Sequence, residues 1–278
     1  MKKVVVWVLT VCLMGGVLTG CQEEQEATGN YATRTFVEDA IKEVATSPLY
    51  GKTVVFAGDS ICAGTTDESG VAGWAQRIGT KHHMKWTNAG KNGATITSTE
   101  ITEASACIAD VYFGAEPDYI ILEGGTNDAD ILGGTANGTM PAEFGSYTMS
   151  NYGTFNTDTF CGAVEALFKR VTTNYPGAKI GFIIPQKMGY YSGEDGQNTA
   201  YSYGKTNTRR MYFDTIIELC KKWGIPYLDL WYGCYLNPMN PTHRIGDDPF
   251  YANGDGQHLT TKGYDYITPM IEKWMESL

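Results

Sequence analysis

Two short segments hold residue types that together support nucleophilic acyl transfer. The first is Gly58-Asp59-Ser60, which directly follows an apolar run, and the second is Asp255-Gly256-Gln257-His258 near the end of the chain. A serine hydroxyl needs a base to take its proton, and that base needs an acceptor to hold its other ring nitrogen in the right tautomer. Ser60, His258 and Asp255 are therefore a candidate nucleophile, base and orienting acid.

Each of these segments is a weak signal when taken alone. A serine after a strand is also a common helix N-cap. The separation of three positions between Asp255 and His258 shows only that the two side chains can meet on a turn. The other three histidines, which we interpret as surface or structural residues, are His82, His83 and His243.

Two further segments supply candidate hydrogen-bond donors. They are Asn88-Ala89-Gly90-Lys91-Asn92-Gly93 and Gly124-Gly125-Thr126-Asn127-Asp128, and each follows a predicted strand. Acyl transfer builds negative charge on a carbonyl oxygen, and fixed backbone N–H groups or an Asn amide aimed at that oxygen lower the barrier. Gly/Asn turns are also common at strand ends, so either segment alone is compatible with an ordinary turn.

Short apolar runs alternate with longer helical patterns around these segments, which is typical of a parallel sheet with crossover helices. Each predicted strand reads as a continuous apolar core strand. The predicted strands are Thr53–Ala57, Lys85–Asn88, Tyr119–Glu123, Lys179–Ile184 and Tyr227–Leu230. Predicted helices are Trp74–Lys81, Thr99–Tyr112, Thr157–Asn174, Thr206–Trp223 and Thr261–Met275. Two long connections, Gly133–Asn156 and Pro185–Lys205, do not fit this alternation, and connections of such length are often functional.

Taken in order, the four segments resemble the sequence blocks of the SGNH, or GDSL-like, serine hydrolases, from about residue 50 to the C-terminus. The resemblance implies a three-layer α/β/α, flavodoxin-like domain with a five-stranded parallel sheet. It implies an ester hydrolase with no metal and no organic cofactor. It also implies Ser60 as nucleophile and Asp255 as the residue orienting the base His258. The oxyanion donors would be the N–H groups of Ser60 and Gly93 and the side-chain amide of Asn127.

Cysteine usage gives one departure from the family pattern. Cys62 stands in the first block where many relatives carry another small or polar residue, and we interpret it as packing under the site and not as a nucleophile. The thiols after Cys21 show no CxxC spacing, so they predict neither a zinc site nor a disulfide framework. We expect most of them to be small buried hydrophobes, with at least one unpaired: Cys62, Cys107, Cys161, Cys220 and Cys234.

The first residues predict export. Lys2 and Lys3 precede an apolar run that ends in Leu18-Thr19-Gly20-Cys21, a pattern that resembles the bacterial lipobox. We therefore expect residues 1–20 to be a lipoprotein signal peptide, 21–48 a lipidated tether and N-terminal segment, and 49–278 the hydrolase domain. The protein would be an exported cell-envelope lipoprotein that touches the membrane only through Cys21. A transmembrane anchor, or an ordinary signal with a chance cysteine, remains open.

Charge and aromatic residues bear on the partners. A formal net charge of -10 and the absence of a Lys/Arg run disfavour nucleic-acid binding. No pattern predicts an oligomeric state. Tyrosine and tryptophan side chains that could stack on sugar rings are Tyr190, Tyr191, Tyr201, Tyr203, Trp231, Tyr232, Tyr235 and Tyr251.

We therefore favour an O-acetyl esterase. Its substrate would be acylated carbohydrate or another small ester. A lipase or lysophospholipase is the first alternative, although the Gly/Thr/Asn-rich connection Gly133–Asn156 is polar for a lipid-binding groove. The second alternative is a glycan-binding lipoprotein that kept the fold and lost the reaction. Retention of all the residues with candidate catalytic roles argues against it.

Overall fold

The computed structural model describes residues 34–64, 71–98, 100, 106–133, 139–189 and 203–278, with the backbone alone for residues 34–39 and 203–207. The chain divides into two compact units, residues 1–40 and 41–278. Of the first unit, the described residues are helical and begin helix α1 (Arg34–Thr46), which the sequence did not predict. The predicted signal peptide and Cys21 lie outside the described residues. Within those residues, no helix combines the length and apolar character needed to cross a membrane.

A five-stranded, wholly parallel sheet forms the centre of the second unit. Its strands are β1 (Thr53–Ala57), β2 (Lys85–Asn88), β3 (Tyr119–Glu123), β4 (Lys179–Ile184) and β5 (Tyr227–Asp229). The strand order β2-β1-β3-β4-β5 is the flavodoxin-like order, so the predicted fold class is confirmed. Strand β5 ends one residue earlier than predicted because the Asp229 side chain accepts a hydrogen bond from Trp231 N and caps a short helix that starts at Leu230.

In the described residues, α-helices follow most of the strands, and the four that have six residues or fewer were not predicted. The helices after α1 are α2 (Ser60–Ala63), α3 (Trp74–Lys81), α4 (Thr126–Ile131), α5 (Phe160–Asn174), α6 (Tyr203–Trp223), α7 (Leu230–Gly233), α8 (Pro241–Arg244) and α9 (Thr261–Ser277). Helix α5 starts three residues later than predicted because Thr159 Oγ1 accepts from Gly162 N as its N-cap. Helix α6 starts three residues earlier than predicted.

The predicted helix Thr99–Tyr112 is wrong in its described C-terminal part. Cys107 forms an isolated parallel bridge with Thr95, and Ile108 N donates to Thr95 O at 2.7 Å. These bonds join the segment to a distant part of the chain, where an α-helix would join it to its own preceding turn. Residues 106–112 therefore contain a 3₁₀ turn at Ile108–Asp110 in place of the predicted α-helix. Residues 99 and 101–105 lie outside the described part.

Alternate residues of the strands pack on opposite faces of the sheet. Val55 of β1 belongs to one buried cluster together with residues of helices α5 and α6. Val54 and Phe56 belong to a second cluster with residues of helices α3 and α9. Helices therefore cover both faces, which gives the expected three layers.

Strand β2 differs from the prediction of a buried core strand. It pairs with β1 alone, at one edge of the sheet. Lys85, Trp86 and Thr87 are exposed as a result. The Trp86 ring lies against Gly79 of helix α3, where a Cβ would come within 2.4 Å of the ring, so the absence of a side chain at Gly79 makes this packing possible.

Candidate active site

Ser60 lies at the carboxyl end of β1, in the first turn of the short helix α2. Asp59 is the N-cap of this helix, and its Oδ1 accepts from Ile61 N at 2.9 Å. The serine is largely buried, with 5% of its surface exposed. The turn thus places the candidate nucleophile at the carboxyl ends of the strands, where parallel α/β folds bind ligands.

His258 connects the serine to an acid. Its Nε2 lies 2.9 Å from Ser60 Oγ, and its Nδ1 lies 2.6 Å from Asp255 Oδ2. A carboxylate only accepts hydrogen bonds, so we assign the proton to Nδ1 and leave Nε2 to accept from the serine hydroxyl. This is the tautomer that a general base for Ser60 requires.

The loop that carries His258 is fixed at both sides of the residue. Asp255 Oδ1 accepts from the backbone N–H of Gln257 at 2.7 Å and of His258 at 2.9 Å. Tyr251 and Leu259 form an antiparallel bridge across the loop. The three-position separation seen in the sequence is therefore a closed turn in which acid and base face one another.

The two predicted oxyanion donors outside Ser60 lie in connected segments. Gly93 is exposed and has φ +71, a conformation that side chains rarely adopt. Asn127 begins helix α4 together with Thr126, and its Nδ2 donates to Ala94 O at 2.8 Å. An amide nitrogen carries two hydrogens, so Asn127 binds the segment after Gly93 with one of them.

A family model of the GDSL-like lipase/acylhydrolase family matches residues 56–266 of the sequence. This region includes all four segments and most of the chain. The chain belongs to this family. The GDSL-like hydrolase is accordingly an ester hydrolase, and the resemblance of its sequence blocks to those of the family is confirmed.

Solved structures share the fold of the GDSL-like hydrolase. A protein from Lactobacillus plantarum is 21% identical, with a TM-score of 0.58 over 82% of this chain and 98% of its own. A possible lipase from Chitinophaga pinensis is 21% identical, with a TM-score of 0.56 over 81% and 98%. An aryl esterase of M. smegmatis is 16% identical, with a TM-score of 0.51 over 82% and 99%. No curated protein sequence matches the chain.

Asp128 is a fully buried acid of the GDSL-like hydrolase to which the sequence pattern assigns no role. Its buried carboxylate accepts from Ile96 N and from both the N–H and the hydroxyl of Thr97. Burial raises the pKa of Asp128, and these donors act in the opposite direction. The carboxylate therefore ties helix α4 to the segment that follows Gly93. Its position directly after Asn127 was the available signal.

Arg209 of helix α6 is a second residue that the sequence did not single out. Its side chain is 1% exposed and makes a two-pronged contact with Asp130, at 2.9 Å from Nε to Oδ1 and 2.6 Å from Nη2 to Oδ2. Nη2 also donates to Gln257 Oε1 at 2.7 Å. Arg209 thus joins helix α4, which carries Asn127, to the neighbour of His258.

The cysteines of the GDSL-like hydrolase are unpaired throughout the described region, and four of these five are buried. Cys62 is fully buried, and this burial, together with the adjacent pair of carboxyl groups of Glu123 and Asp59, raises the pKa of its thiol well above the usual range. A thiol in that state is a poor nucleophile. The interpretation of Cys62 as a packing residue therefore agrees with its surroundings.

The aromatic residues proposed for sugar stacking separate into three groups. Trp231 and Tyr251 are buried at 4% and 0% exposure, so that expectation is wrong for both; their rings fill the two cores. Tyr232 and Tyr235 are 66% and 82% exposed. The others, whose side chains lie outside the described part, are Tyr190, Tyr191, Tyr201 and Tyr203.

One group of side chains of metal-ligand types occurs in the described residues, between the end of helix α3 and helix α9. It consists of His82, Glu272 and Glu276. The Lys81 ammonium already lies 2.6 Å from Glu272 Oε1, and Ser47 Oγ donates to Glu276 Oε1 at 2.9 Å. The acids therefore serve as hydrogen-bond acceptors between elements, and the cluster offers no ready cation site.

His243 is likewise engaged in a hydrogen bond, since its Nδ1 accepts from Asn237 N.

Proposed function

We propose that this GDSL-like hydrolase cleaves carboxylic esters through an acyl-enzyme on Ser60. The observation that carries the proposal is the continuous pair of contacts from Ser60 Oγ to His258 Nε2 and from His258 Nδ1 to Asp255 Oδ2, at 2.9 and 2.6 Å. Nucleophile, base and orienting acid stand in hydrogen-bond order, which is the arrangement that activates a serine hydroxyl.

The reaction has two halves. As Ser60 Oγ attacks the ester carbonyl carbon, His258 Nε2 takes the hydroxyl proton and then passes it to the leaving alcohol oxygen. The acyl group is left on Ser60. Water then attacks the acyl carbon while His258 takes its proton, and the collapse of that intermediate releases the acid and returns the proton to Ser60. Asp255 stabilises the imidazolium that forms in each half.

The negative oxygen of each tetrahedral intermediate needs donors. We assign this role to the N–H groups of Ser60 and Gly93 and to the Asn127 amide hydrogen that does not bind Ala94. The Ser60 N–H belongs to the first turn of helix α2, where backbone donors have no intrahelical acceptor. Fixed donors of this kind stabilise charge as it develops, which is often the largest contribution to catalysis.

For the substrate we favour small O-acyl groups on carbohydrate. Tyr232 and Tyr235 support this preference, since they are exposed and follow the carboxyl end of β5, as Ser60 follows the carboxyl end of β1. The Arg210 guanidinium lies 4.5 Å from the centroid of the Tyr232 ring, within the range of a cation–π contact. Tyr235 has φ 58, a strained conformation that clusters at functional sites when the surroundings impose it.

A lipid substrate has less support. Long acyl chains require a continuous apolar groove, whereas the connection from residue 139 to 156 carries many hydroxyl and amide side chains. The two exposed tyrosines are amphipathic and suit a partner with both apolar faces and hydroxyl groups. We therefore keep a lipase as the second candidate, to be separated from the first by acyl-chain preference.

Location is a separate proposal that rests on residues 1–21. We propose that Cys21 becomes the lipidated first residue of an exported protein, because Leu18-Thr19-Gly20-Cys21 follows a short apolar run and two lysines. Cys21→Ser should release folded, active protein from the membrane fraction, with Cys161→Ser as the matched control. Membrane retention of Cys21→Ser would contradict the proposal.

The test of the activity compares p-nitrophenyl acetate with the octanoate ester, using residues 22–278 and the Ser60→Ala variant. We expect acetate turnover that Ser60→Ala abolishes at an unchanged melting temperature, while Ser277→Ala, at the end of helix α9, stays active. Preference for octanoate would favour the lipase. Full activity of Ser60→Ala would refute the nucleophile.

The carbohydrate preference needs its own measurement. Acetate release from an O-acetylated oligosaccharide should show a KM that Tyr235→Ala raises several-fold, whereas p-nitrophenyl acetate turnover should change little. Tyr112→Ala is the matched control because this tyrosine is also exposed, at 76%. Equal KM values for the variant and the wild type would remove Tyr235 from the substrate site.

A further inference from the structure

Two carboxyl groups meet beneath the nucleophile. Asp59 follows strand β1 and Glu123 is the last residue of the neighbouring strand β3. Both side chains are fully buried. Asp59 N donates to Glu123 Oε2 at 3.3 Å, and a Cβ placed on Gly58 would come within 2.7 Å of the same oxygen. The Glu123 carboxyl thus occupies space that only a glycine leaves open.

Two buried carboxylates in contact cannot both be ionised at modest cost. Asp59 Oδ1 accepts from Ile61 N, and the Thr126 hydroxyl and the Cys62 N–H interact with Asp59 and Glu123 respectively. Asp59 Oδ2 and Glu123 Oε1 are nevertheless buried with no well-aligned hydrogen-bond partner. A proton on Glu123 supplies a donor, because the two side chains interact with one another. The pair then carries one negative charge and one internal hydrogen bond.

The surroundings place the proton on Glu123. Burial and the charge of Asp59 raise the pKa of Glu123 well above its usual range. Burial also raises the pKa of Asp59, but the Ile61 N–H, Glu123, the nearby His258 and the Thr126 hydroxyl act in the opposite direction. Other titratable groups near the pair are the thiol of Cys62 and the hydroxyl of Tyr264, and the two carboxyl groups raise the pKa of each.

We propose that Glu123 is a positioning residue that stays protonated during turnover, donates to Asp59 and thereby fixes the turn that presents Ser60. This proposal rests on the proposed function of Ser60. Asp59 caps the helix that begins at Ser60, so a restrained Asp59 restrains the nucleophile. A neutral Glu123 also keeps a second negative charge away from the place where the oxyanion develops.

The experiment compares Glu123→Gln with Glu123→Leu. Gln offers the same shape, an acceptor for Asp59 N and a permanent donor for the Asp59 carboxylate. We expect Glu123→Leu to lower kcat by 10-fold or more with little change in KM, and Glu123→Gln to recover most of that loss. If Glu123→Leu does not fold, Glu123→Gln decides alone. A kcat in Glu123→Gln as low as that of Ser60→Ala would overturn the proposal, and so would full activity of Glu123→Leu.

Two readouts separate positioning from packing. At neutral pH, the infrared spectrum of the wild type should contain a protonated carboxyl C=O band that Glu123→Gln lacks. Absence of this band in the wild type would also overturn the proposal. In the pH profile, kcat of the wild type should fall at alkaline pH as Glu123 ionises. Glu123→Gln should lose that fall, whereas Cys62→Ala and Tyr264→Phe should retain it.

Failure of the proposed function would look different. If Ser60 is not the nucleophile, Ser60→Ala remains active, whatever the Glu123 variants do. If the positioning proposal alone is wrong, Ser60→Ala is inactive while the Glu123 variants behave alike or the infrared band is missing. The infrared measurement needs no substrate and therefore tests the protonation state by itself.

Discussion

Asn127 donates its side-chain amide to Ala94 O at 2.8 Å, so the third sequence segment holds the backbone of the second directly after Gly93. Two proposed oxyanion donors, Asn127 and Gly93, are therefore part of one hydrogen-bonded unit. Asp128 strengthens this unit because its carboxylate accepts from Ile96 and Thr97. A change in one donor should consequently disturb the other.

Asn127→Ala should lower kcat by about 10²-fold or more, because it removes one oxyanion donor and releases Ala94. The measurement is kcat and KM on p-nitrophenyl acetate. KM should change little, since the ground-state ester carries no negative oxygen. Asn174→Ala, the same change at an exposed position at the end of helix α5, should leave kcat intact. An unaltered kcat in Asn127→Ala would make Asn127 a turn residue only.

Arg209→Met should lower kcat by about 10-fold, because a small displacement of catalytic groups costs one to two orders of magnitude. The substitution keeps the packing of the buried stem but loses the contacts to Asp130 and Gln257. Both kcat and the melting temperature should be measured, with Arg170→Met on helix α5 as control. A lower melting temperature at an unchanged kcat would limit Arg209 to a role in stability.

Lys222→Met should destabilise the fold by about 3–5 kcal/mol, because it leaves the buried Glu165 carboxylate without its partner. The Lys222 ammonium also lies 5.4 Å from the ring centroids of both Tyr152 and Phe155. The double variant Lys222→Met/Glu165→Leu should recover much of the loss, since no buried charge remains. Denaturant unfolding measures both values. A double variant less stable than Lys222→Met would contradict the account.

Glu272→Gln should reduce stability at neutral pH and have little effect in acid. Burial raises the pKa of Glu272, but hydrogen bonds from His82 and Lys81 bring it below the ordinary value of 4.5. The unfolded chain thus holds this proton more tightly, and the stabilisation is complete above the ordinary pKa and lost as pH falls through the folded-state pKa. Thermal melts between pH 3 and 7 test this, with exposed Glu116→Gln as control. A pH-independent difference would contradict it.

Much of the fold was predictable because breakers bound the apolar runs. Tyr119–Glu123, for example, lies between Asp118 and two glycines, and the structure places a strand at that range. The segment 106–112 was not predictable, since the bridge between Thr95 and Cys107 depends on a partner that helical periodicity does not reveal. The exposure of β2 was also hidden, because the order of strands in a sheet is a property of the whole chain.

The candidate site was predictable to the extent that its residues stand in short motifs. Ser60, Asp255 and His258 lie in such motifs, and the structure brings them together. Glu123 and Arg209 could not be singled out from the sequence. An acid at the end of a strand and an arginine in a helix both have ordinary structural explanations. Their importance arises from partners that lie 64 and 48 or more positions away along the chain.

The acid and the base lie on one turn just before helix α9, while the proposed nucleophile lies 198 positions earlier. Tyr264 of that helix donates its hydroxyl to Ile61 O, in the turn of Ser60. The proposed nucleophile and its base therefore come together only when β1 has folded against the segment that runs from Asp255 to helix α9. Ester hydrolysis would then report the docking of two segments about 200 positions apart, and not the folding of either segment by itself.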